Sequence, residues 1–119
     1  MASPVVQWQV ITKDPAKHSA FYADVFGWKI RSDNALGYRM AESGTGRGID
    51  GGFWPAPPEA NAFIQLFFEV NDIADTVKRV KKAGGDVLIP PQILPDGDQM
   101  AILRDPMGIS FGVMAPSKR

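Results

Sequence analysis

Two stretches decide how this chain is read: Gln7-Trp8-Gln9-Val10-Ile11-Thr12-Lys13-Asp14 and Gln65-Leu66-Phe67-Phe68-Glu69-Val70-Asn71-Asp72. In each, a glutamine precedes an aspartate by seven residues, and the two stretches lie 58 positions apart. Shifted by 58, the two halves register without a gap for over twenty residues. Each stretch is rich in β-branched and aromatic residues and reads as a strand. Each aspartate then reads as the N-cap of a helix, with Pro15 at the first helical position of the first one. The pairs Phe21/Val25 and Tyr22/Phe26 give that helix an apolar stripe. In the second helix Asp75 follows Asp72 by three, and Ile73, Thr76, Val77 and Val80 form the buried face. Lys78, Arg79, Lys81 and Lys82 read as its solvated face, suited to a helix C-terminus. Gly27 and, by the 58-residue shift, Gly85 are expected to stop the helices.

Working outward, residues 28–32, 38–42 and 49–54 read as strands, with an Asp33-Asn34 turn and a glycine-rich turn over 43–48. Residues 86–89, 99–104 and 109–114 complete the second half, around a Pro95-Asp96-Gly97 turn. The order is βαβββ twice. The expected fold class is α+β, two βαβββ modules pairing into a cupped, mostly antiparallel sheet with the helices on its outer face. The expected domain is a single one over 1–119, with module one at about 4–54, a linker at 55–61 and module two at about 62–115. Three prolines in that seven-residue linker, PAPPEAN, suit a stiff crossing.

Bulk properties narrow the function. With 13 basic and 13 acidic residues the net charge is zero, so no excess exists to neutralise phosphates and nucleic acid is not an expected partner. No apolar run approaches the ~20 residues of a membrane span, and the N-terminus lacks the pattern of a signal peptide. No cysteine is present, which removes disulfides, thiolate ligands and a thiol nucleophile and fits a cytoplasmic protein.

Asp14 followed by Phe21-Tyr22, Val25-Phe26-Gly27-Trp28 resembles the first-helix signature of the vicinal oxygen chelate superfamily, which includes glyoxalase I, bleomycin-binding proteins and extradiol dioxygenases. Arg104-Asp105-Pro106-Met107-Gly108 resembles the turn before that family's last strand. The resemblance covers nearly the whole chain and implies the fold more than the activity. It implies divalent-metal ligands on the first and last strands of each module. Gln7 and Gln65 fall at two of those positions, while Gly112 and the Gly51-Gly52 region fall at the other two. Amides are weak, neutral ligands, and glycines supply none, so a metal is not expected, and Gln7 and Gln65 are its ligands only if one is bound. No other cofactor is expected.

Strand parity places Gln7, Gln9, Gln65, Phe67 and Glu69 on the concave face, and Trp8, Val10, Leu66, Phe68 and Val70 under the helices. Glu69, the one carboxylate in the first set, is the candidate catalytic acid or base. Gln7, Gln9, Trp54, Gln65, Phe67 and Ser110 are the candidate ligand-binding residues, with Phe53 and Trp54 as an aromatic wall. His18, the single histidine, reads as a surface residue. Gly108-Ile-Ser110-Phe-Gly112 matches a nucleophile-elbow pattern, but a strand follows it rather than a helix, and no histidine lies downstream. Gly44-Thr-Gly46-Arg-Gly48 lacks the lysine of a phosphate-binding loop and reads as a hairpin. Three functions compete: a metal-independent small-molecule binder, a divalent-metal lyase or isomerase related to glyoxalase I, and an interaction module whose faces are filled by self-association. A homodimer is expected under each.

Overall fold

The computed structural model describes residues 2–32, 38–56 and 61–117. Its elements follow the doubled order. The first half runs β1 (Val5–Thr12), α1 (Pro15–Phe26), β2 (Lys29–Arg31), β3 (Arg39–Glu42) and β4 (Gly51–Pro55). The second runs β5 (Phe63–Glu69), α2 (Ile73–Lys82), β6 (Asp86–Ile93), β7 (Gln99–Arg104) and β8 (Ser110–Ala115). The fold class is α+β with two βαβββ modules. The Asp33-Asn34 turn and most of the 55–61 linker lie outside the described residues.

By contact the chain forms two units, one of Gln7–Ile64 and the other of the residues up to Val6 together with those from Gln65 onward. Both obey one plan. In the first unit the strand order is β2-β3-β4-β1, with β4 parallel to β1 and the other pairs antiparallel. In the second it is β5-β8-β7-β6, with β8 parallel to β5 and the rest antiparallel. The parallel pair makes the first and last strand of each module neighbours, so residues far apart in sequence share one face. Pro90 and Pro91 sit in β6, at the end of its unit's strand order, where the pairing with β7 shifts register between Ile89 and Gln92.

The helices form where the capping residues direct them. Asp14 accepts a hydrogen bond from Lys17 N at 3.0 Å, and Asp72 accepts one from Asp75 N at 3.0 Å. Gly27 ends α1 with φ of 74°. The second helix ends differently from the expectation: Gly84, not Gly85, carries the positive φ, 96°. Gly85 instead sits where a Cβ would press on the Val80 side chain and the Arg104 carbonyl. Helix end and strand start are thus divided between two glycines in this module.

Each helix covers one face of its sheet. Under α1 lie Val10, Ala41 and Phe53, with Trp8, Tyr22, Trp28 and Ile30 packed around them. Ile73, Val77 and Val80 of α2 pack on Val70, Ala101, Leu103, Val113 and Ala115, with Phe68, Val87 and Phe111 beside them. Leu66 departs from its expected place under the helix and is 44% exposed. The ten-residue α2 is about 15 Å long, and the apolar cluster beneath it starts at Phe68. His18 also departs from expectation. It is half-buried, its Nδ1 lies 3.0 Å from Thr12 Oγ1, and its ring packs on Tyr22 and Phe53.

Candidate functional site

The face of each sheet turned away from its helix carries the candidate residues. In the second unit, Phe68 and Val113 point into the core under α2, so their neighbours Phe67 and Gly112 face the other way. Phe67 stands directly opposite Gly112 across the parallel pair. A Cβ on Gly112 would collide with three atoms of the Phe67 ring. The ring therefore fills the space where a side chain at position 112 would start. Two residues back, Ser110 Oγ donates a hydrogen bond to Gln65 Oε1 at 3.1 Å. Gln65 is buried, and this bond engages the amide oxygen that a metal would need. Glu69 lies farther along the same strand face, about 13 Å from Gln65 at strand rise. It is exposed, and its main-chain N–H donates to the Pro4 carbonyl at 3.0 Å. The structure joins Gln65, Ser110 and Phe67 with Gly112, and leaves Glu69 at the strand end.

In the first unit the helix-free face holds Gln7 and Gln9 of β1, Gly52 and Trp54 of β4, and Met40 of β3. Gln9 is buried and Gln7 half-buried. Trp54 stacks on Tyr38, with ring centroids 4.2 Å apart and planes 9° from parallel. Its indole Nε1 is fully buried and has no hydrogen-bond partner among the described residues. A Cβ on Gly52 would lie 3.7 Å from that Nε1 and 3.8 Å from Met40 Sδ, so both groups border the same space over Gly52. Phe53, expected with Trp54 in one wall, points instead to the helix side and is completely buried. Alternation within one strand separates them.

The sequence reading missed Tyr38 as a site residue. The antiparallel register Arg39↔Phe53 and Met40↔Gly52, continued by one step, brings residue 38 opposite Trp54. That register depends on a hairpin whose loop glycines alone gave no pairing. Those glycines, Gly44, Gly46 and Gly48, all have φ near 73°, and the loop is tied by Ser43 Oγ, Thr45 Oγ1 and the Arg47 main chain. It is a hairpin connection, as expected. Ser110 likewise opens a strand, not a helix, so the elbow pattern there is a coincidence of composition.

A resident divalent ion is what the family resemblance implies, and these residues do not fit one. Among the described residues no three His, Cys, Asp or Glu side chains come together. Gln65 is bonded to Ser110, and the position for a last-strand carboxylate is filled by the Phe67 ring. In module one a Cβ on Gly51 would collide with the Trp8 indole, and one on Gly52 would lie 3.0 Å from the Arg39 carbonyl. No helix among the described residues is long and apolar enough to cross a membrane.

Comparison with known proteins agrees with this architecture. The model of the Glyoxalase/Bleomycin resistance protein/Dioxygenase superfamily matches residues 5–113. "Putative glyoxylase CFP32" of Mycobacterium tuberculosis is 30% identical over 112 residues, covering 92% of this chain and 42% of that protein. "Anthracycline biosynthesis protein DauV" of Streptomyces sp. (strain C5) is 30% identical over 116 residues, covering 84% and 42%. The chain thus spans less than half the length of these curated relatives. Among solved structures, hypothetical protein BH1468 from Bacillus halodurans superposes with a TM-score of 0.69 at 16% identity, covering 100% of this chain and 98% of that one. Methylmalonyl-CoA epimerase from Mycobacterium tuberculosis superposes with a TM-score of 0.66 at 14% identity, covering 96% and 88%. At such identities the superpositions speak for the fold alone. The chain belongs to the Glyoxalase/Bleomycin resistance protein/Dioxygenase superfamily.

Proposed function

We propose that this protein binds a small planar aromatic molecule without a metal ion, on the helix-free sheet face that carries Trp54. The observation that carries this reading is the buried Trp54 Nε1, without a partner among the described residues, beside the Tyr38 stack. An unsatisfied buried donor costs roughly 1–3 kcal/mol, and such groups in native proteins call for a functional or solvent partner. A ligand that stacks on the aromatic pair and displaces the neighbouring Met40 thioether could bring an oxygen acceptor to the indole. The name of the anthracycline biosynthesis relative adds weight to an aromatic ligand. Metal independence is supported by the Phe67 ring over Gly112 and by the Gln65–Ser110 bond.

Gln7 and Gln9 are proposed ligand contacts on the helix-free face of the Trp54 unit, and Gln65, Phe67 and Ser110 on that of the other unit, each taken by itself. Glu69 would be the acid or base of any catalysed step. A cytoplasmic location and a homodimeric state are part of the same reading. A panel of planar aromatics, followed by tryptophan fluorescence and melting temperature, tests it. A saturable change with at least one class supports the proposal, and silence across the panel removes it.

The runner-up is a divalent-metal lyase or isomerase related to glyoxalase I, favoured by the 30% identity to a protein named as a glyoxylase. It requires Gln7 or Gln65 as ligands and a carboxylate such as Glu69. Hemithioacetal isomerisation that appears only with added Ni, Zn, Mn or Fe(II) would select it.

A further inference from the structure

The core of the first unit stops short of filling the space on the helix side of its sheet. A cavity of about 280 Å³ remains there, lined by Trp8, Val10, Tyr22, Trp28, Phe53 and Ile64. All six residues belong to the unit Gln7–Ile64. Val10 and Phe53 are buried, Trp8, Tyr22 and Trp28 are partly buried, and Ile64 is 66% exposed, which marks the open side. The walls are held in place. Trp8 Nε1 donates to the Ile49 carbonyl at 3.2 Å, and the indole occupies the place of a Cβ on Gly51. Tyr22 and Trp28 stack with centroids 5.5 Å apart and planes 12° from parallel, and the Trp8 centroid lies 5.1 Å from that of Trp28. The βαβββ plan does not require these rings. The 58-residue shift takes Trp8, Tyr22 and Trp28 to Leu66, Val80 and Asp86. Phe53 stands opposite Val10 in the first unit, and Val113 stands opposite Phe68 in the second. The second module thus folds with Leu, Val, Asp and Val where the first has four rings. Val10 itself corresponds to Phe68, so the first module carries the smaller residue beside its cavity.

We propose that this cavity is a second binding site, on the face opposite Trp54, and that it takes a small, neutral, aliphatic molecule. Size sets the first limit. An apolar cavity of about 150 Å³ accommodates benzene, so 280 Å³ suits a molecule of roughly six to eleven non-hydrogen atoms. Charge sets the second. None of the six lining side chains is charged, so an ionic ligand would lose its hydration without gaining a partner. Shape sets the third. The rings already lie against one another, Tyr22 and Trp8 both against Trp28, so the walls offer bulk contact more than free faces for stacking. A compact aliphatic body fills such a space and removes its apolar lining from water. The site goes beyond the planar aromatic ligand of the helix-free face and does not depend on it.

The chain's own tryptophans supply the test. It has three, and in Trp54→Phe the two that remain, Trp8 and Trp28, both line the cavity. Their fluorescence in the full-length Trp54→Phe chain is titrated with cyclohexanol, and then with cyclohexanecarboxylate and cyclohexylammonium. A saturable change is expected with cyclohexanol, and binding at least roughly tenfold weaker with either ion. Val10→Phe, added to Trp54→Phe, installs the residue that the second module has at this place. It is expected to fill the cavity and abolish the change. Ile64→Glu, at the exposed open side, is a second variant that the fold tolerates, and it should weaken cyclohexanol binding roughly tenfold or more. No saturable change up to the solubility limit of cyclohexanol overturns the proposal. So does equal binding of the charged analogues, or binding that Ile64→Glu leaves unchanged. An aliphatic probe read without Trp54 does not report on the helix-free face, so failure here and failure of the aromatic-ligand reading are separable.

Discussion

At the residue scale, the ring of Phe67 and the bare backbone of Gly112 act as one unit. Any side chain at 112 must displace that ring or the backbone. Gly112→Ala is therefore expected to cost about 1–3 kcal/mol, as overpacking does. Phe67→Ala alone should cost about 3–5 kcal/mol. If the two residues occupy one space, the double variant will be less destabilised than the sum, which urea denaturation measures. Full additivity would separate them. Trp54 gives a second, opposite prediction. Trp54→Phe keeps the stack on Tyr38 but removes the buried N–H. Its melting temperature should equal or exceed the native value, while aromatic-ligand affinity falls tenfold or more, about the 1.4 kcal/mol of one hydrogen bond. A loss of stability with intact binding would mean the indole is structural. These pairings were only partly legible in sequence. Parity gave the face of Gln65, Phe67 and Ser110, because alternation within a strand is a local property. It could not give Phe67 over Gly112, because that depends on β5 pairing in parallel with β8, forty-five residues away in register.

At the element scale, the local signals were strong where chemistry is local. Asp14-Pro15 and Asp72-Ile-Ala-Asp75 named both helix starts, since an N-cap carboxylate and its amide partner lie within three residues. Asp72→Ala should cost about 1 kcal/mol in thermal or urea unfolding. Asp72→Asn or Asp72→Ser should recover most of it, and equal losses in all three would point to a role other than capping. The signals failed where one residue type serves two needs. Gly84 and Gly85 are adjacent and look interchangeable, yet one takes the left-handed turn and the other the close approach to Val80. The apolar stripe of α1 is only partly covered. Tyr22 does pack in the core, but Phe21 and Val25 do not. Periodicity reports an apolar strip and not what covers it.

At the scale of the whole molecule, the doubled βαβββ plan was visible because duplication leaves an offset that needs no structural knowledge. The plan explains why the candidate residues gather on helix-free faces: each module places its first and last strands side by side. In each module an aromatic ring from the first strand, Trp8 or Phe67, covers a glycine of the last strand. The Phe67–Gly112 pair lies on a helix-free face, where a last-strand carboxylate would start, and the Trp8–Gly51 pair lies on the helix side. A substitution that merely adds a carboxylate, such as Gly112→Glu, should destabilise the protein without creating tight metal binding. Calorimetry with Zn and Ni on that variant checks the point.

The most direct measurement is an equilibrium titration of tryptophan fluorescence with a panel of planar aromatics in excess chelator, on the native chain and Trp54→Phe. The account predicts saturable one-site binding in chelator that is lost or weakened tenfold or more in the variant. Binding that appears only when a divalent metal replaces the chelator, or that survives Trp54→Phe unchanged, would contradict it.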